Sequence, residues 1–220
     1  MMIKPILFNT EMVRAILDGR KTCTRRVIKP QWEECTACKY VHNEYIYDKM
    51  AENVYCARCG YPMEPERRSP YQIGDILYVR ETWCGLPANE AGHLRGHPIY
   101  YYKADGDLRP EGWRGAWRPS IHMPKEAERI WLKVTDVRVE RLHKITEEQA
   151  RKEGCAGNFR CPSFGAAGKL SSQTIDCSIA KFKIIWDSTI KKNDLDRYGW
   201  QANPWVWVIE FERGEKPQEV

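Results

Sequence analysis

Two Cys-x-x-Cys pairs, Cys35/Cys38 and Cys56/Cys59, stand seventeen residues apart. Each pair can grip one ion from a tight turn, and a hairpin of that length brings the second pair round to close a tetrahedron. Zinc suits four thiolates in a cellular setting; an iron–sulfur cluster and two disulfides are the alternatives. Four protein ligands leave no position for water, so this zinc is expected to be structural, letting a short polar insertion fold with little core of its own. Gly60 supplies the permissive residue needed after Cys59. Four bound thiolates and one Zn2+ would bring the formal net charge of +5 to about +3.

Other chemistry-bearing residues carry weaker signals. Cys23, Cys84, Cys155, Cys161 and Cys177 follow no partner pattern, so buried or free thiols are expected; a cysteine nucleophile would lack an obvious His partner. His93, His97 and His122 have no tight ligand spacing and are expected at the surface. Nine tryptophans suit a well-packed core or aromatic faces that stack on a flat ligand.

The elements that must position these groups follow from periodicity and end signals. A first helix is capped by Thr10, carries Glu11 in its first turn and Met12, Val13, Ile16 and Leu17 on one face, and ends at Gly19. The segment Lys21–Arg26 leaves that helix in a turn or early strand, with Cys23 on the face opposite its motif neighbours. From Gln31 to about Ser69 the composition turns polar and tyrosine-rich, which marks an inserted module. Strands are expected over Ile76–Trp83 and Ile99–Lys103, and then over 130–139 with a break near Thr135-Asp136. Arg109–Pro124, with three prolines and two tryptophans, is expected to be an ordered loop. Thr146 and Gln149 form a capping box for a short helix that ends at Gly154. Cys155–Cys177 lacks a clear period and is expected to be a long loop. A third helix spans Ile179–Ile190, and a last strand spans Trp205–Glu212. Mixed strands with helices at the edges indicate an α+β domain with a small curved sheet or barrel.

Composition narrows the class. Apolar residues at 42% and charged residues at 30% exclude a disordered chain. The longest apolar run, Trp205–Ile209, is far short of a bilayer span, so no membrane partner is expected. The N-terminus has no charged start followed by a long apolar stretch, so no secretory leader is expected and a cytoplasmic setting is. A charge of +5 permits a nucleic-acid partner without demanding one.

Gly19-Arg-Lys-Thr-Cys-Thr-Arg-Arg26, directly after the amphipathic helix, resembles the start of an ASCH domain of the PUA-like superfamily. Pro70–Trp83, the helix segment Ile145–Gly154 and the closing strand Trp205–Phe211 are also similar to that family, and Trp117–Pro124 resembles a segment of its longer, phage-associated members. The resemblance covers 1–30 and about 70–213, leaving 31–69 as an inserted zinc-ribbon-like module and 214–220 as a flexible tail. It implies a PUA-like curved sheet or β-barrel with flanking helices, and a bacterial or phage-encoded protein. One branch of the family removes the acyl group from N4-acetylcytidine, pairing a Lys and a Thr three residues apart with a Glu from a short downstream helix. The matching positions are Lys21, Thr24 and Glu153, so the resemblance implies a Lys-Thr-Glu triad and a small nucleoside substrate.

The chemistry such a triad would perform needs a nucleophile, a proton acceptor and a stabiliser for the oxyanion. Thr24 would attack the acyl carbonyl, Lys21 would assist, and backbone amides or Arg26 would stabilise the oxyanion. The cytosine 4-amine would leave with a proton passed through Glu153 or Lys21, and water would then release the acyl group from Thr24. Burial and the neighbouring Arg20, Arg25 and Arg26 push Lys21 toward a neutral amine, while a helix end pushes it toward the ammonium. Glu153 lies in the last turn of its helix, where the dipole disfavours a carboxylate by about 0.3–1 kcal/mol, so either something holds it or it is an exposed acid pairing with Lys152. Glu81, Trp83 and Ser120 are candidates for reading the base, with an exposed acid, a core aromatic and a loop hydroxyl as their bland counterparts. The small amidohydrolases lack a zinc module, so the insertion departs from that branch. The competing readings are an RNA or modified-base binding module and a ribonuclease, the latter weakened by the lack of a His pair for acid–base cleavage.

Overall fold

The computed structural model describes residues 2–32, 34–41, 45–63, 68–86, 99–112, 115–155, 160–164, 170–176 and 178–217, with the backbone only over 160–164 and 170–176. In chain order the elements are β1 (Ile3–Leu7), α1 (Thr10–Leu17), β2 (Cys23–Val27), β3 (Tyr45–Asp48), β4 (Asn53–Cys56), β5 (Ile76–Arg80), β6 (Trp83–Leu86), β7 (Ile99–Tyr102), β8 (Trp131–Arg141), α2 (Glu147–Lys152), β9 (Arg160–Phe164), β10 (Leu170–Asp176), α3 (Ser178–Thr189), α4 (Leu195–Tyr198) and β11 (Trp205–Gly214). The class is α+β, with a mixed sheet and few helices. No helix among the described residues is long and apolar enough to cross a membrane. The chain divides into two compact units, Met1–Gly19 with Gly74–Val134 and Glu212–Val220, and Arg20–Ile73 with Thr135–Phe211.

In the first unit β1 runs parallel to β5, and β5 pairs antiparallel with the start of β8 (Ile76↔Lys133, Tyr78↔Trp131). Alternation along β5 buries Leu77 and Val79. Asn9, not Thr10, caps α1: its extended backbone lets its Oδ1 accept from the Met12 N–H at 2.8 Å, while Thr10 is already helical. Val13, Ala15 and Ile16 form the buried face of α1, and Gly19 takes φ +73 just beyond it. The strand expected over Ile76–Trp83 is two strands, because β6 leaves β5 to pair antiparallel with β7.

In the second unit β8 continues unbroken through Thr135 and Asp136, where a break was expected. Asp136 is accommodated mid-strand because its carboxylate pairs with Lys49 and Arg138. β8 lies beside β11, and β11 pairs antiparallel with β2 (Glu210↔Cys23, Ile209↔Thr24, Val208↔Arg25, Trp207↔Arg26). One face of this pair joins Cys23, Val206 and Val208 to Leu142, Ile145, Ala150, Phe182 and Trp186 in one apolar cluster, which seats α2 and α3. Cys155–Cys177 is not a loop throughout: β9 and β10 pair antiparallel with a register shift between Ser171 and Thr174, a bulge that obscures strand alternation in sequence. Within 31–69, β3 and β4 form the hairpin that the cysteine spacing requires (Tyr45↔Cys56, Asp48↔Asn53). Most of the described tryptophans are core: Trp32, Trp83, Trp131, Trp186, Trp205 and Trp207 are all buried.

Candidate functional site

Glu153 enters the site from the end of α2. Thr146 Oγ1 accepts from the Gln149 N–H and Gln149 Oε1 accepts from the Thr146 N–H, closing the expected capping box. The helix runs for six residues and stops at Glu153, its C-cap, with Gly154 at φ +89. The chain just before β2 runs alongside this helix end: Lys21 and Glu153 form an isolated antiparallel bridge, and the Thr22 N–H donates to Lys152 O at 2.9 Å. Two residues 132 apart in sequence thus share one buried spot.

Lys21 Nζ donates to Cys23 O (2.7 Å), Glu153 O (2.9 Å) and Glu153 Oε2 (2.8 Å). These acceptors match the three N–H donors of an ammonium. The helix-end carbonyl gains a cation, which the dipole favours. The carboxylate, which the dipole disfavours, is held by charge from two sides. Arg25 Nη1 donates to Glu153 Oε1 at 3.2 Å. Side-chain exposure is 0% for Lys21 and Arg25 and 3% for Glu153, so water screens none of these contacts. The exposed-acid alternative for Glu153 does not hold, and Lys152 pairs instead with Glu148 at 3.3 Å.

Thr24 is buried one residue from Arg25. Strand alternation puts its side chain on the face opposite Cys23 and Arg25. Among the described residues no hydrogen bond joins Thr24 Oγ1 to Lys21 or Glu153. Cys23 shares the apolar cluster with Val206 and Val208, and burial pushes its thiol up to about 12, with Glu153 adding to the effect. It is therefore a core thiol and no thiolate nucleophile. Arg26 is half-buried; burial lowers its pKa from the usual arginine range, and the neighbouring Tyr71 and Glu153 oppose that shift.

Glu81, Trp83 and Ser120 belong to the first unit. Glu81 is buried, and both of its oxygens are taken by Arg129 (Nε to Oε1 2.8 Å, Nη2 to Oε2 3.0 Å). Burial raises its pKa against the opposing pull of Arg129, which also grips Asp105 and lies 3.9 Å from the Tyr102 ring centroid. Trp83 packs on Met123 and Ala127, with Tyr100 edge-on at 5.8 Å and the Arg118 guanidinium at 5.3 Å. Its Nε1 is buried without a hydrogen bond among the described residues. Ser120 opens a short 3-10 turn, and its carbonyl accepts from the Met123 N–H at 3.1 Å.

The four cysteines of the insertion converge, with all Sγ atoms within 4.8 Å of one another. Cys35 Sγ lies 3.7 Å from Cys59 Sγ, and Cys38 Sγ lies 3.7 Å from Cys56 Sγ. Four sulfurs at about 2.3 Å from a tetrahedral zinc would stand about 3.8 Å apart, so the cluster fits a metal ion such as zinc. The separations are far beyond a disulfide bond. Both turns are built alike. Cys35 N–H donates to Tyr40 O and Lys39 N–H to Cys35 O; Cys56 N–H donates to Tyr61 O and Gly60 N–H to Cys56 O. The equivalent residues Lys39 and Gly60 both take positive φ, +54 and +70. Charge is shared unevenly within the cluster. A backbone hydrogen bond at Cys38 leads the effects that hold the Cys35 thiol down to about 7. At Cys59 a backbone hydrogen bond at Tyr61 is outweighed by the contact with Cys56, by burial and by the contacts with Cys38 and Cys35, which push that thiol up to about 12.

His122 is exposed, as expected. His93, His97 and Cys177 lie outside the described residues, as does the side chain of Cys161. Sequence reasoning missed Arg25 as a partner of Glu153, along with Gln149 and Glu140, which support it. The available signal was the two-residue spacing from Cys23 to Arg25, which puts the arginine on the helix-covered face. No family model matches the chain, and neither a curated protein nor a solved structure matches it.

Proposed function

We propose that the protein is an ASCH-type, PUA-like amidohydrolase that removes the acyl group from N4-acylated cytosine nucleosides. The observation that carries this reading is the buried contact between Lys21 and Glu153, two of the three positions that the resemblance singles out. Thr24, the third, lies three residues from Lys21, on the strand face opposite Arg25. It has no hydrogen bond to Lys21 or Glu153 among the described residues, so the reaction requires Thr24 Oγ1 and Lys21 Nζ to meet when substrate binds. In the proposed reaction Thr24 Oγ1 bonds to the acyl carbon, the C–N4 bond breaks, and N4 takes up a proton as the free cytosine leaves. Water then cleaves the Thr24 ester and releases the carboxylic acid. Lys21 Nζ has its three donors engaged, so it can accept the Thr24 proton only after passing one of its own on. Of its three acceptors only Glu153 Oε2, at 2.8 Å, is a carboxylate oxygen that can take up a proton. Arg26 and backbone amides are the candidates for the oxyanion. Glu81, Trp83 and Ser120, the residues expected to read the base, belong to the other unit, where Glu81 is bonded to Arg129 and Trp83 is packed in a core, so no base-reading role is assigned to them. The zinc proposed for the Cys35/Cys38/Cys56/Cys59 cluster is structural, since four protein ligands close its shell.

The test is incubation of pure protein with a panel of N4-acyl cytidines, following free cytidine by chromatography. Turnover of at least one member is expected, and no turnover across the panel removes the reading. One observation favours a second reading, an RNA-binding module: a groove of about 500 Å3 in the second unit is lined by Gln31, Arg141, Asp196, Arg197, Tyr198 and the buried Trp32, which sets two arginines against one aspartate beside the half-buried Tyr198 ring. Salt-sensitive oligonucleotide binding without turnover would support that reading over the enzyme.

A further inference from the structure

We propose that Arg25 is a positioning residue that fixes the plane of the Glu153 carboxylate for proton exchange with Lys21; the inference rests on the amidohydrolase reading. A glutamate carboxylate rotates broadly about its last torsion. A single contact from Lys21 to Oε2 would leave the group free to swing about that contact. Arg25 supplies the second anchor: its Nη1 donates to Oε1 at 3.2 Å, so each oxygen has its own cation.

Arg25 is itself locked. Nη2 donates to Gln149 Oε1 at 2.9 Å, and that oxygen also accepts the Thr146 N–H, so the guanidinium is tied to the capping box that starts the same helix Glu153 ends. Nη2 also lies 3.4 Å from Glu140 Oε2, and the guanidinium carbon sits 5.9 Å from the Phe182 ring centroid. The other charges around it belong to a neighbouring cluster, in which Arg138 bonds Glu140 (2.6 Å), Glu210 (2.6 Å) and Asp136 (3.1 Å).

Two features separate this from a generic structural cation. The Arg25 side chain is 0% exposed, yet its Nε is buried with no hydrogen-bond partner among the described residues. Leaving a buried donor unmatched is costly, and the orientation is set by the Nη contacts to Glu153 and Gln149 at that expense. The arrangement also needs a fork: Nη1 and Nη2 serve two residues of one helix at once, which a lysine ammonium cannot reproduce from a single point.

The experiment compares wild type, Arg25→Lys and Arg25→Met by kcat and KM on N4-acetylcytidine. It also follows the Glu153 side-chain carboxyl resonance in 13C-glutamate-labelled protein, assigned with Glu153→Gln. A carboxylate freed from its second anchor is expected to lower kcat about 100-fold in Arg25→Met, the scale of a misplaced catalytic group, with KM changed less than about threefold. Arg25→Lys should restore part of that loss, and the Glu153 resonance should move or broaden in both variants. A folded Arg25→Met with kcat within about twofold of wild type, a loss confined to KM, or an unchanged Glu153 resonance overturns the proposal. If Arg25→Met does not fold, Arg25→Lys carries the same tests. If wild type turns over no N4-acyl cytosine, the amidohydrolase reading fails separately, and the Glu153 resonance alone decides whether Arg25 holds the carboxylate.

Discussion

Removing one member of the Lys21–Glu153 pair should cost far more than losing a surface salt bridge. An exposed pair contributes about 0.2–1 kcal/mol, because water and salt screen it. Here both side chains are closed to solvent, at 0% and 3% exposure, and Arg25 makes a third buried charge. Glu153→Gln keeps the shape but strands two cations, Lys21 and Arg25, around a neutral amide. Breaking a buried pair from one side costs about 3–5 kcal/mol, and this substitution should fall at the upper end. Lys21→Met leaves Glu153 its bond to Arg25, so it should cost less, near the lower end. In the double variant one buried cation has left with its anion, so the cost of the double variant should fall short of the sum of the two single costs by about 2–3 kcal/mol. Urea unfolding of the four proteins at pH 7 with zinc present measures each term, against a total stability of about 5–15 kcal/mol for a typical native protein. Two single effects each below about 1 kcal/mol that add without coupling would refute the buried-pair reasoning, and so would a Lys21→Met cost larger than that of Glu153→Gln.

Four further outcomes follow. Lys39 holds φ +54 at the position where the other metal turn has Gly60, so Lys39→Gly should stabilise the zinc-bound protein by about 0.5–1 kcal/mol and Gly60→Val should destabilise it, as read by thermal unfolding. Metal analysis should find about one zinc per chain, and chelation should raise hydrogen exchange in 45–63 more than in α3. A Cβ at Gly85 would stand 2.8 Å from the Trp83 ring, which Tyr100 and Arg118 flank, so Gly85→Ala should cost about 1–3 kcal/mol in urea unfolding. Burial works to raise the Asp136 pKa, but its ion pairs with Lys49 and Arg138 outweigh that and hold it below the usual aspartate range. Its contribution to stability is therefore present above the unfolded value and lost as the pH falls through the folded one, and Asp136→Asn should flatten stability against pH below about 4.

Local signals were the most legible in the sequence. The Thr146/Gln149 capping box, Gly154 beyond the helix and the twin Cys-x-x-Cys turns each act within a few residues, and each forms in the structure as those residues require. Asn9 displaced Thr10 as a cap because both carry a suitable side chain, and only the backbone conformation chooses between them. The strand through Thr135 and Asp136 was obscured because its mid-strand acid depends on Lys49, which lies 87 residues earlier in the chain. The site divides in the same way. The Lys21 and Glu153 positions came from a resemblance, and their contact depends on a bridge that joins the lead-in to β2 to the end of α2. Arg25 could be named as a nearby cation, but its bond to the second oxygen of Glu153 depends on how β2 pairs with β11 under α2 and α3. The four-cysteine cluster of the insertion was readable because each Cys-x-x-Cys turn carries its own local geometry.

The most direct test of the central claim is hydrolysis of N4-acetylcytidine by the pure protein alongside Lys21→Ala, Thr24→Ala and Glu153→Ala variants. The account predicts release of free cytidine by wild type and severe loss in each variant. Wild-type turnover that survives Lys21→Ala or Glu153→Ala would contradict the role given to their buried pair, and no turnover of any N4-acyl cytosine would contradict the assigned reaction.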